Sequence, residues 1–388
     1  MRNKNRNESL LNYNIEKAKD MKIIDVKATW ILIPLEKPFH GGTYTIPSRA
    51  TVITKIFTDE GIIGEAFAGD QRKNGKEICD LIENDLKKII VGEDLFSIDK
   101  LWNKMFMTSM MSRDKRTQLA AIALVDMALW DTVGKAVNQP LYKLLGGYKD
   151  KIPIITIGGY YQEGKTLEDF AKEVVSYQEL ELAGVKFKVG RVNVEEDVER
   201  VKVAREAAGD DFVIAVDANM AWTPKQAIKF ANLAEKYDIT WLEEPVHWYN
   251  FYRDMKTVKD AINIPLTAGQ SELTKFACRN LMDSGAIDIC NVDSSICGGI
   301  TEWMKIANMA HTYNIQMAHH EEWQIAMHLY GAIPHGTYVE CFADPLRDPL
   351  FDTFVLNKKI NNGLIEIPDK PGLGLELNED IIKKYKAN

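Results

Sequence analysis

Residues 212–246 read FVIAVDANMAWTPKQAIKFANLAEKYDITWLEEPV, with two short apolar runs, 212–219 and 239–245, on either side of a helical pattern. This order of strand, helix and strand is typical of a parallel βα unit. The same alternation continues in both directions, because helical patterns fill most of the gaps between six further strand candidates. These candidates are residues 152–161, 185–190, 264–269, 287–293, 315–320 and 337–342.

Eight successive strand candidates favour a closed barrel of parallel strands, although the segment is shorter than the ~250 residues usual for that fold. A doubly wound open sheet is the structural alternative with the same alternation. Before residue 150, strand candidates at 21–39, 51–57 and 62–66 are grouped together and followed by helical spacing over 76–145, which predicts a separate α+β domain. Within it, the glycine-rich, polar segment FHGGTYTIPSR (39–49) predicts a loop.

The composition of the whole chain narrows the possible partners. The chain has 388 residues, 46% of them hydrophobic and 27% charged, as in an ordinary globular protein. A formal net charge of −8 argues against nucleic acid or an anionic membrane as a partner. No apolar run approaches the ~18 residues of a membrane span. Residues 1–20 lack the apolar stretch of a secretory signal and predict a flexible extension. Five cysteines without a CxxC pair argue against a disulfide scaffold or zinc ribbon and fit a cytoplasmic protein.

Polar residues follow almost every strand candidate of the predicted barrel. The carboxyl ends of parallel barrel strands open at one mouth, where barrel enzymes place their active sites. One acid after a strand more often caps the next helix, but capping alone does not explain such residues at five successive strand ends. They are Asp217, Asn219, Glu243, Glu244, Gln270, Glu272, Asp293, His319 and His320.

Two kinds of chemistry are indicated by these strand ends. Carboxylates such as Asp217 and Glu243 suit Mg²⁺, which prefers oxygen ligands, whereas zinc would require a cluster of His and Cys. Lys186 and Lys188 are two residues apart on one strand candidate, so their side chains share a face. Lys188 on the second strand and His320 on the seventh would face the metal from opposite sides. Two bases across a metal are suited to removing a proton from carbon.

From about Met21 onward the chain resembles the enolase superfamily, and within it the mandelate racemase subgroup. The resemblance implies an α/β protein in which an α+β capping domain covers a modified TIM barrel of the (β/α)7β type. The expected segments are a flexible extension (1–20), the capping domain (21–150), the barrel (151–345) and a C-terminal part (346–388) that returns to the capping domain. The motifs that carry the resemblance are ALVDMALWDTVGKAVNQPLYKLLGG (123–147), KFK (186–188), VDAN (216–219), WLEEP (241–245), NVDSSICGGITEW (291–303), VECF (339–342) and PDKPGLGLEL (368–377).

The resemblance also implies roles for the reacting residues. Asp217 and Glu243 would bind Mg²⁺, and Lys188 and His320 would be the two acid/base residues. Lys186 would contact the substrate carboxylate and lower the pKa of Lys188 through like-charge repulsion.

Three further residues have implied supporting roles. Asp293 would fix the tautomer and orientation of His320. Glu340 would hydrogen-bond the substrate carboxylate, and Asn219 would contact the substrate or support the metal ligands.

The sequence departs from the family pattern at the third metal ligand. The pattern has Glu directly after the glycine that ends the fifth strand, but here Gly269 is followed by Gln270, with Glu272 two residues later. Counting without gaps to Asp293 favours Gln270, whose amide carbonyl oxygen can bind Mg²⁺. Alternatively, the strand end is rearranged and Glu272 reaches the metal.

The shared chemistry of the family is abstraction of the proton α to a carboxylate. A polar cap loop with His40 and Tyr44, together with Tyr160 on the first barrel strand, favours a hydroxyl-rich small-molecule carboxylate as substrate. We therefore predict dehydration of a sugar acid (a mono- or diacid) to a 2-keto-3-deoxy acid. A racemase or epimerase of a 2-hydroxy acid is the alternative, and a non-catalytic acid-binding barrel is the rival class. A cycloisomerase is disfavoured, because Asp293 stands where that subgroup uses a lysine. We also expect a homo-oligomer.

Overall fold

The computed structural model describes residues 21–69, 73–343, 360–374 and 377–387. The predicted extension at 1–20 therefore lies outside the described residues. Within the described ranges, no helix is both long enough and apolar enough to cross a membrane.

The capping domain is built on a three-stranded antiparallel sheet of β1 (Ile23–His40), β2 (Thr45–Thr58) and β3 (Ile63–Ala68). The prediction of a loop over residues 39–49 is wrong for most of that segment, because β1 and β2 pair as far as His40 and Thr45. The register shifts between Pro34 and Phe39, where prolines 34 and 38 lack the N–H groups that a regular ladder needs. The helices are α1, in three consecutive segments (Gly75–Leu81, Ile82–Leu86 and Lys87–Ile90), α2 (Ile98–Ser109), α3 (Lys115–Ala136) and α4 (Leu141–Leu145).

The second domain has the eight parallel strands expected from the sequence. They are β4 (Lys151–Gly158), β5 (Gly184–Lys188), β6 (Val213–Asp217), β7 (Trp241–Glu243), β8 (Leu266–Ala268), β9 (Ile289–Cys290), β10 (Gln316–Met317) and β11 (Val339–Cys341). Neighbouring strands pair in chain order from β4 to β10, and β11 pairs with β4. Between β10 and β11, Met317 N–H donates to the His335 carbonyl and Thr337 N–H donates to the Met317 carbonyl, both at 2.9 Å. The backbone hydrogen bonds thus continue around a closed barrel, not a doubly wound sheet.

A helix follows each of the first seven barrel strands, as (β/α)7β topology requires. Four of these helices begin at residues whose side chains accept backbone N–H groups of the first turn: Thr166, Asn193, Thr223 and Asp293. The helices are α5 (Leu167–Glu179), α6 (Val194–Ala208), α7 (Pro224–Ala234), α8 (Phe251–Lys259), α9 (Thr274–Asp283), α10 (Ser294–Cys297) with α11 (Ile300–Thr312), and α12 (Trp323–Ala332).

Buried side chains also join the two domains. Helix α3 is almost wholly buried, and its Asp126 carboxylate accepts hydrogen bonds from the Thr301 backbone N–H (2.9 Å) and hydroxyl (2.6 Å) of α11. Inside the barrel, five side chains from different strands form an apolar cluster: Ile155, Ala215, Trp241, Ile289 and Ala318. The charged residues lie beyond this cluster, toward the carboxyl ends of the strands.

The sequence predicts that the C-terminal part returns to the capping domain. In the structure, only some of its described residues do so. Its hairpin of β12 (Ile360–Asn361) and β13 (Leu364–Glu366) pairs antiparallel with β4 of the barrel. Only the later residues contact the capping domain. There the Asp131 carboxylate accepts the Leu373 N–H at 2.7 Å, and Lys386 forms an isolated antiparallel β-bridge with Ile31 of β1. The last helix is α13 (Glu379–Tyr385).

His328, on α12 beneath this tail, makes the stability of the fold depend on pH. Its Nδ1 accepts the Tyr142 N–H at 3.3 Å, so Nε2 carries the proton and donates to the Leu373 carbonyl at 3.0 Å. Burial lowers the pKa of His328 to about 4, whereas an unfolded histidine takes up a proton near pH ~6.5. Because the unfolded state binds this proton first, the folded state should lose up to about 3 kcal/mol as pH falls from ~6.5 to ~4.

Urea unfolding between about pH 7 and about pH 4.5 checks this expectation. His328→Asn should be less stable than the parent at neutral pH, yet its free energy of unfolding should fall less steeply toward acid. Parallel pH profiles for the two proteins would contradict the assignment.

Candidate active site

Five charged side chains from four barrel strands meet near the carboxyl ends of those strands. Lys188 is in register with Asp217, and Asp217 with Glu243, so these residues form one row across β5, β6 and β7. Lys188 Nζ lies 2.6 Å from Asp217 Oδ2. Lys186 Nζ lies 2.8 Å from Glu243 Oε2 and 2.6 Å from Glu340 Oε1 on β11. The carboxylates predicted to bind metal and substrate therefore lie against the two lysines.

The pKa values of the two lysines differ from the expectation. Burial lowers the pKa of Lys188, but the nearby Asp217 carboxylate outweighs burial and the net pKa lies well above its ordinary value. The predicted lowering of the Lys188 pKa is therefore wrong for this arrangement, because an opposite charge lies at hydrogen-bonding distance. The pKa of Lys186 is likewise raised: burial lowers it, and the carboxylates of Glu243 and Glu340 more than compensate.

The two predicted metal ligands have opposite pKa shifts. Burial raises the pKa of Asp217, but Lys188 and Lys186 reverse this effect, so that its net pKa is lowered. Burial dominates at Glu243 and raises its pKa to about 7, despite the ammonium group of Lys186. Asn219 also holds the Asp217 carboxylate in position. The backbone N–H of Asn219 donates to Asp217 Oδ1 at 2.8 Å, and Asn219 Nδ2 donates to Asp217 Oδ2 at 2.9 Å.

Asp293, which follows β9, and His320, which follows β10, form the predicted dyad. His320 Nδ1 lies 3.1 Å from Asp293 Oδ2, while Asp293 Oδ1 accepts the Ser295 N–H at 2.7 Å. With Nδ1 donating to the carboxylate, Nε2 is the ring atom left for exchanging protons with a substrate. Burial lowers the pKa of His320, but the hydrogen bond to Asp293 and the charge of Glu321 raise it to a net value of about 9.

His319 supports this dyad, a role that the sequence did not reveal. It is fully buried, and its Nε2 accepts the Ser294 N–H at 3.0 Å while Nδ1 lies 3.1 Å from the Glu321 carbonyl. The ring thereby links the residue after Asp293 to the residue after His320. The sequence signal for this role was the pair of adjacent histidines at the end of a strand candidate. Because neighbouring side chains in a strand point to opposite faces, only one of the two rings, His320, faces the cavity.

A cavity of about 270 Å³ lies between the capping domain and the barrel mouth. Lys188 lies beside it, with Nζ 5.9 Å from the Tyr44 ring centre and 5.7 Å from that of Tyr160. The predicted site residues among those lining the cavity are Tyr44, Tyr160, Asn219, Gln270, Asp293 and His320.

His40 is not among the described residues that line this cavity. Phe39 lines it instead, and the alternation along β1 turns the next side chain away. His40 Nδ1 lies 2.8 Å from Thr45 Oγ1, so the prediction that His40 contacts substrate is wrong here. The adjoining loop lies directly on the barrel: a Cβ at Gly42 would be 2.7 Å from the carbonyl oxygens of Val189 and Ala218. Only glycine allows this approach.

The structure also separates the two candidates for the third metal ligand. Gln270 lines the cavity, and its Oε1 is buried without a hydrogen-bond partner among the described residues. Glu272 lies in another cavity, and its carboxylate accepts from the Tyr252 hydroxyl at 3.1 Å. Within the described ranges no three His, Cys, Asp or Glu side chains form a metal-binding group. The Gln270 amide oxygen, together with the carboxylates of Asp217 and Glu243, would nevertheless form the all-oxygen donor set that suits Mg²⁺, a hard cation.

We expect Gln270→Ala to weaken Mg²⁺ binding by roughly tenfold or more, while Glu272→Gln has little effect. The reason is that only Gln270 offers an unpartnered oxygen to the cavity. Isothermal titration with Mg²⁺ measures both affinities without requiring a substrate. The reverse ranking would assign the ligand to Glu272.

Two acidic residues after His320 connect the barrel to the capping domain, and the sequence analysis missed their function. Glu321 Oε2 lies 3.2 Å from Arg49 Nη2 of β2, and the Glu322 carboxylate accepts the Gly69 N–H. Both glutamates have positive φ, 51° and 44°, a conformation that costs backbone energy in residues other than glycine. These contacts hold the capping domain over His320.

Comparison with known proteins identifies the family. The model of the mandelate racemase / muconate lactonizing enzyme N-terminal domain matches residues 23–146, and the enolase C-terminal domain-like model matches residues 167–381. The chain belongs to the mandelate racemase/muconate lactonizing enzyme family. The predicted family is thereby confirmed, and so is the predicted fold of capping domain and modified barrel.

Individual relatives agree with this assignment. The chain is 33% identical to the arabinonate dehydratase of Saccharolobus solfataricus over 346 residues, 87% of this chain and 90% of the relative. A family member from a marine actinobacterium, solved with magnesium, is 43% identical, with a TM-score of 0.88 and coverage of 95% of this chain and 100% of that one. The L-talarate/galactarate dehydratase of Salmonella typhimurium LT2, solved with Mg and L-lyxarohydroxamate, is 28% identical, with a TM-score of 0.87 and coverage of 95% and 94%. Other relatives are an epimerase and cycloisomerases.

Proposed function

We propose that this protein is a Mg²⁺-dependent sugar-acid dehydratase that converts its substrate to a 2-keto-3-deoxy acid. The observation that carries the proposal is the arrangement of two acid/base side chains. His320 lines the cavity, and Lys188 lies beside it against the cavity residues Tyr44 and Tyr160 and is paired with the Asp217 carboxylate. Relatives named as arabinonate, L-talarate/galactarate, L-rhamnonate and D-xylonate dehydratases support the substrate class.

The substrate carboxylate would bind beside Lys186 and Glu340. The buried ammonium group of Lys186 can donate to a carboxylate oxygen as negative charge develops there after proton abstraction. Mg²⁺ on Asp217, Glu243 and Gln270 would supply further positive charge and would compete with the lysines for the carboxylates that now raise their pKa values.

Lys188 and His320 would divide the proton transfers between them. Lys188 Nζ, as its neutral amine, would take the proton from the α-carbon, and the C–H electron pair would move onto the carboxylate as an enediolate. When this pair returns, it would form the α,β double bond while the β C–O bond breaks. His320, whose pKa of about 9 makes it an imidazolium at neutral pH, would give its Nε2 proton to the departing hydroxyl, which leaves as water. The resulting enol would tautomerise to the 2-keto acid.

A library of sugar acids incubated with Mg²⁺ in D₂O tests the proposal. We expect at least one acid to lose its α-proton signal and form a 2-keto acid. Exchange with inversion at the α-carbon and no 2-keto acid would instead indicate a racemase or epimerase. The presence of two bases and the similarity to an epimerase support this alternative. A protein that binds acids without any exchange would be a non-catalytic barrel. Homo-oligomer formation and cytoplasmic location stay predictions.

A further inference from the structure

The cavity wall nearest the capping domain contains an ion pair that has no direct contact with substrate in the proposed chemistry, although the charge of Glu321 helps to raise the pKa of His320. Arg49, on β2, is 3% exposed and lies 3.2 Å from Glu321, whose side chain is 14% exposed. Both residues line the cavity, and the Arg49 guanidinium also lies 4.9 Å from the Phe342 ring centre. A substrate whose reacting carbons lie beside His320 would occupy the same cavity as Arg49 and Glu321, so its distal carbons can reach this wall.

The second carboxylate of a diacid would need a buried cation as its partner. Three other charged residues of this cavity, Glu322, Arg116 and Asp293, do not supply one. Glu322 also lines the cavity, but its carboxyl group accepts the Gly69 N–H, and burial raises its pKa well above the ordinary value. Arg116 lies at the exposed rim, where a carboxylate paired with it would remain in water and bind weakly. Asp293 is already hydrogen-bonded to His320. Among the described lining residues, Arg49 is thus the one buried arginine, and Glu321 balances its charge.

We infer that this wall binds the distal hydroxyl groups of a monocarboxylic sugar acid and rejects the second carboxylate of a diacid. The inference rests on the proposed function, since it assumes that a sugar acid occupies the cavity.

The difference between hydroxyl and carboxylate follows from the ion pair. A hydroxyl can donate to Glu321 and accept from Arg49 at the same time, without separating them. A carboxylate can only accept, so it must either displace Glu321 from Arg49 or share the guanidinium with Glu321 as a like charge. In either case two carboxylates compete for one buried guanidinium, which is unfavourable.

Matched pairs of acids test this inference, because galactonate and galactarate, or gluconate and glucarate, differ only at the distal carbon. With Mg²⁺ present, kcat/KM should be roughly tenfold or more higher for the monoacid of the reactive pair. Glu321→Gln, which keeps a hydrogen-bonding group at Arg49 but removes the negative charge, should reduce or reverse this preference. Glu173→Gln is the matched control: Glu173 is 16% exposed and paired with Lys165 outside the cavity, so this variant should keep the parental ratio.

A second measurement needs no variant. As competitive inhibitors of the parent enzyme, 6-hydroxyhexanoate should bind more tightly than adipate, which differs from it only in the distal carboxylate. A parental preference for diacids, or an unchanged ratio in Glu321→Gln, would overturn the inference and leave the proposed function intact. If no acid of either kind loses its α-proton, the proposed function itself is wrong.

Discussion

Lys188→Ala should abolish both dehydration and exchange of the substrate α-proton with D₂O, whereas His320→Asn should abolish dehydration and retain exchange. The physical reason is that Lys188 is the base that takes the α-proton in our proposal, and His320 is the acid that protonates the leaving hydroxyl. Loss of either group should lower the rate by about 10²–10⁴-fold. Proton NMR in D₂O and an assay for 2-keto acid separate the two steps.

Matched variants separate these effects from loss of folding. His328→Asn makes the same change at a buried histidine outside the site, and Lys135→Ala removes a lysine paired with Asp131 at 2.8 Å in the capping domain. Both should retain dehydration and exchange while losing some stability. If His320 and Lys188 were only a helix cap and a structural ion-pair partner, their variants would behave like these controls. The opposite exchange pattern would interchange the roles of base and acid.

Asp217→Asn should abolish turnover and weaken Mg²⁺ binding by about 100-fold or more. The side chain keeps its size, but the charge that attracts the cation and balances Lys188 is lost. Isothermal titration with Mg²⁺ and activity in excess EDTA measure the two effects independently.

Asp126→Asn is the appropriate control for this experiment. Asp126 is also a fully buried carboxyl group, but it accepts hydrogen bonds from Thr301 between the domains. This variant should retain Mg²⁺ binding and turnover even if its melting temperature falls. Full activity in Asp217→Asn, or in the parent enzyme with excess EDTA, would contradict the metal assignment.

The sequence by itself determined the order of the barrel strands and the end of the barrel that carries the chemistry. Alternation of apolar runs and helical patterns is a local property, so the eight strand candidates lie where the structure has strands. Polar residues directly after those runs, such as Asp217 and Asp293, could be assigned to one mouth because parallel strands all end there. The two-residue spacing of Lys186 and Lys188 likewise fixed their common face.

Only the tertiary structure decided which of these groups contact one another. Sequence spacing does not show that Lys188 lies 2.6 Å from Asp217, so the direction of its pKa shift could not be predicted from the neighbouring Lys186 alone. The spacing to Asp293 favoured Gln270 without excluding Glu272, and it did not reveal that Arg49 reaches Glu321 across the two domains. A one-residue change in register turns a side chain to the opposite face, and electrostatic interactions depend on distance and burial. Both are set by packing between segments far apart in the chain.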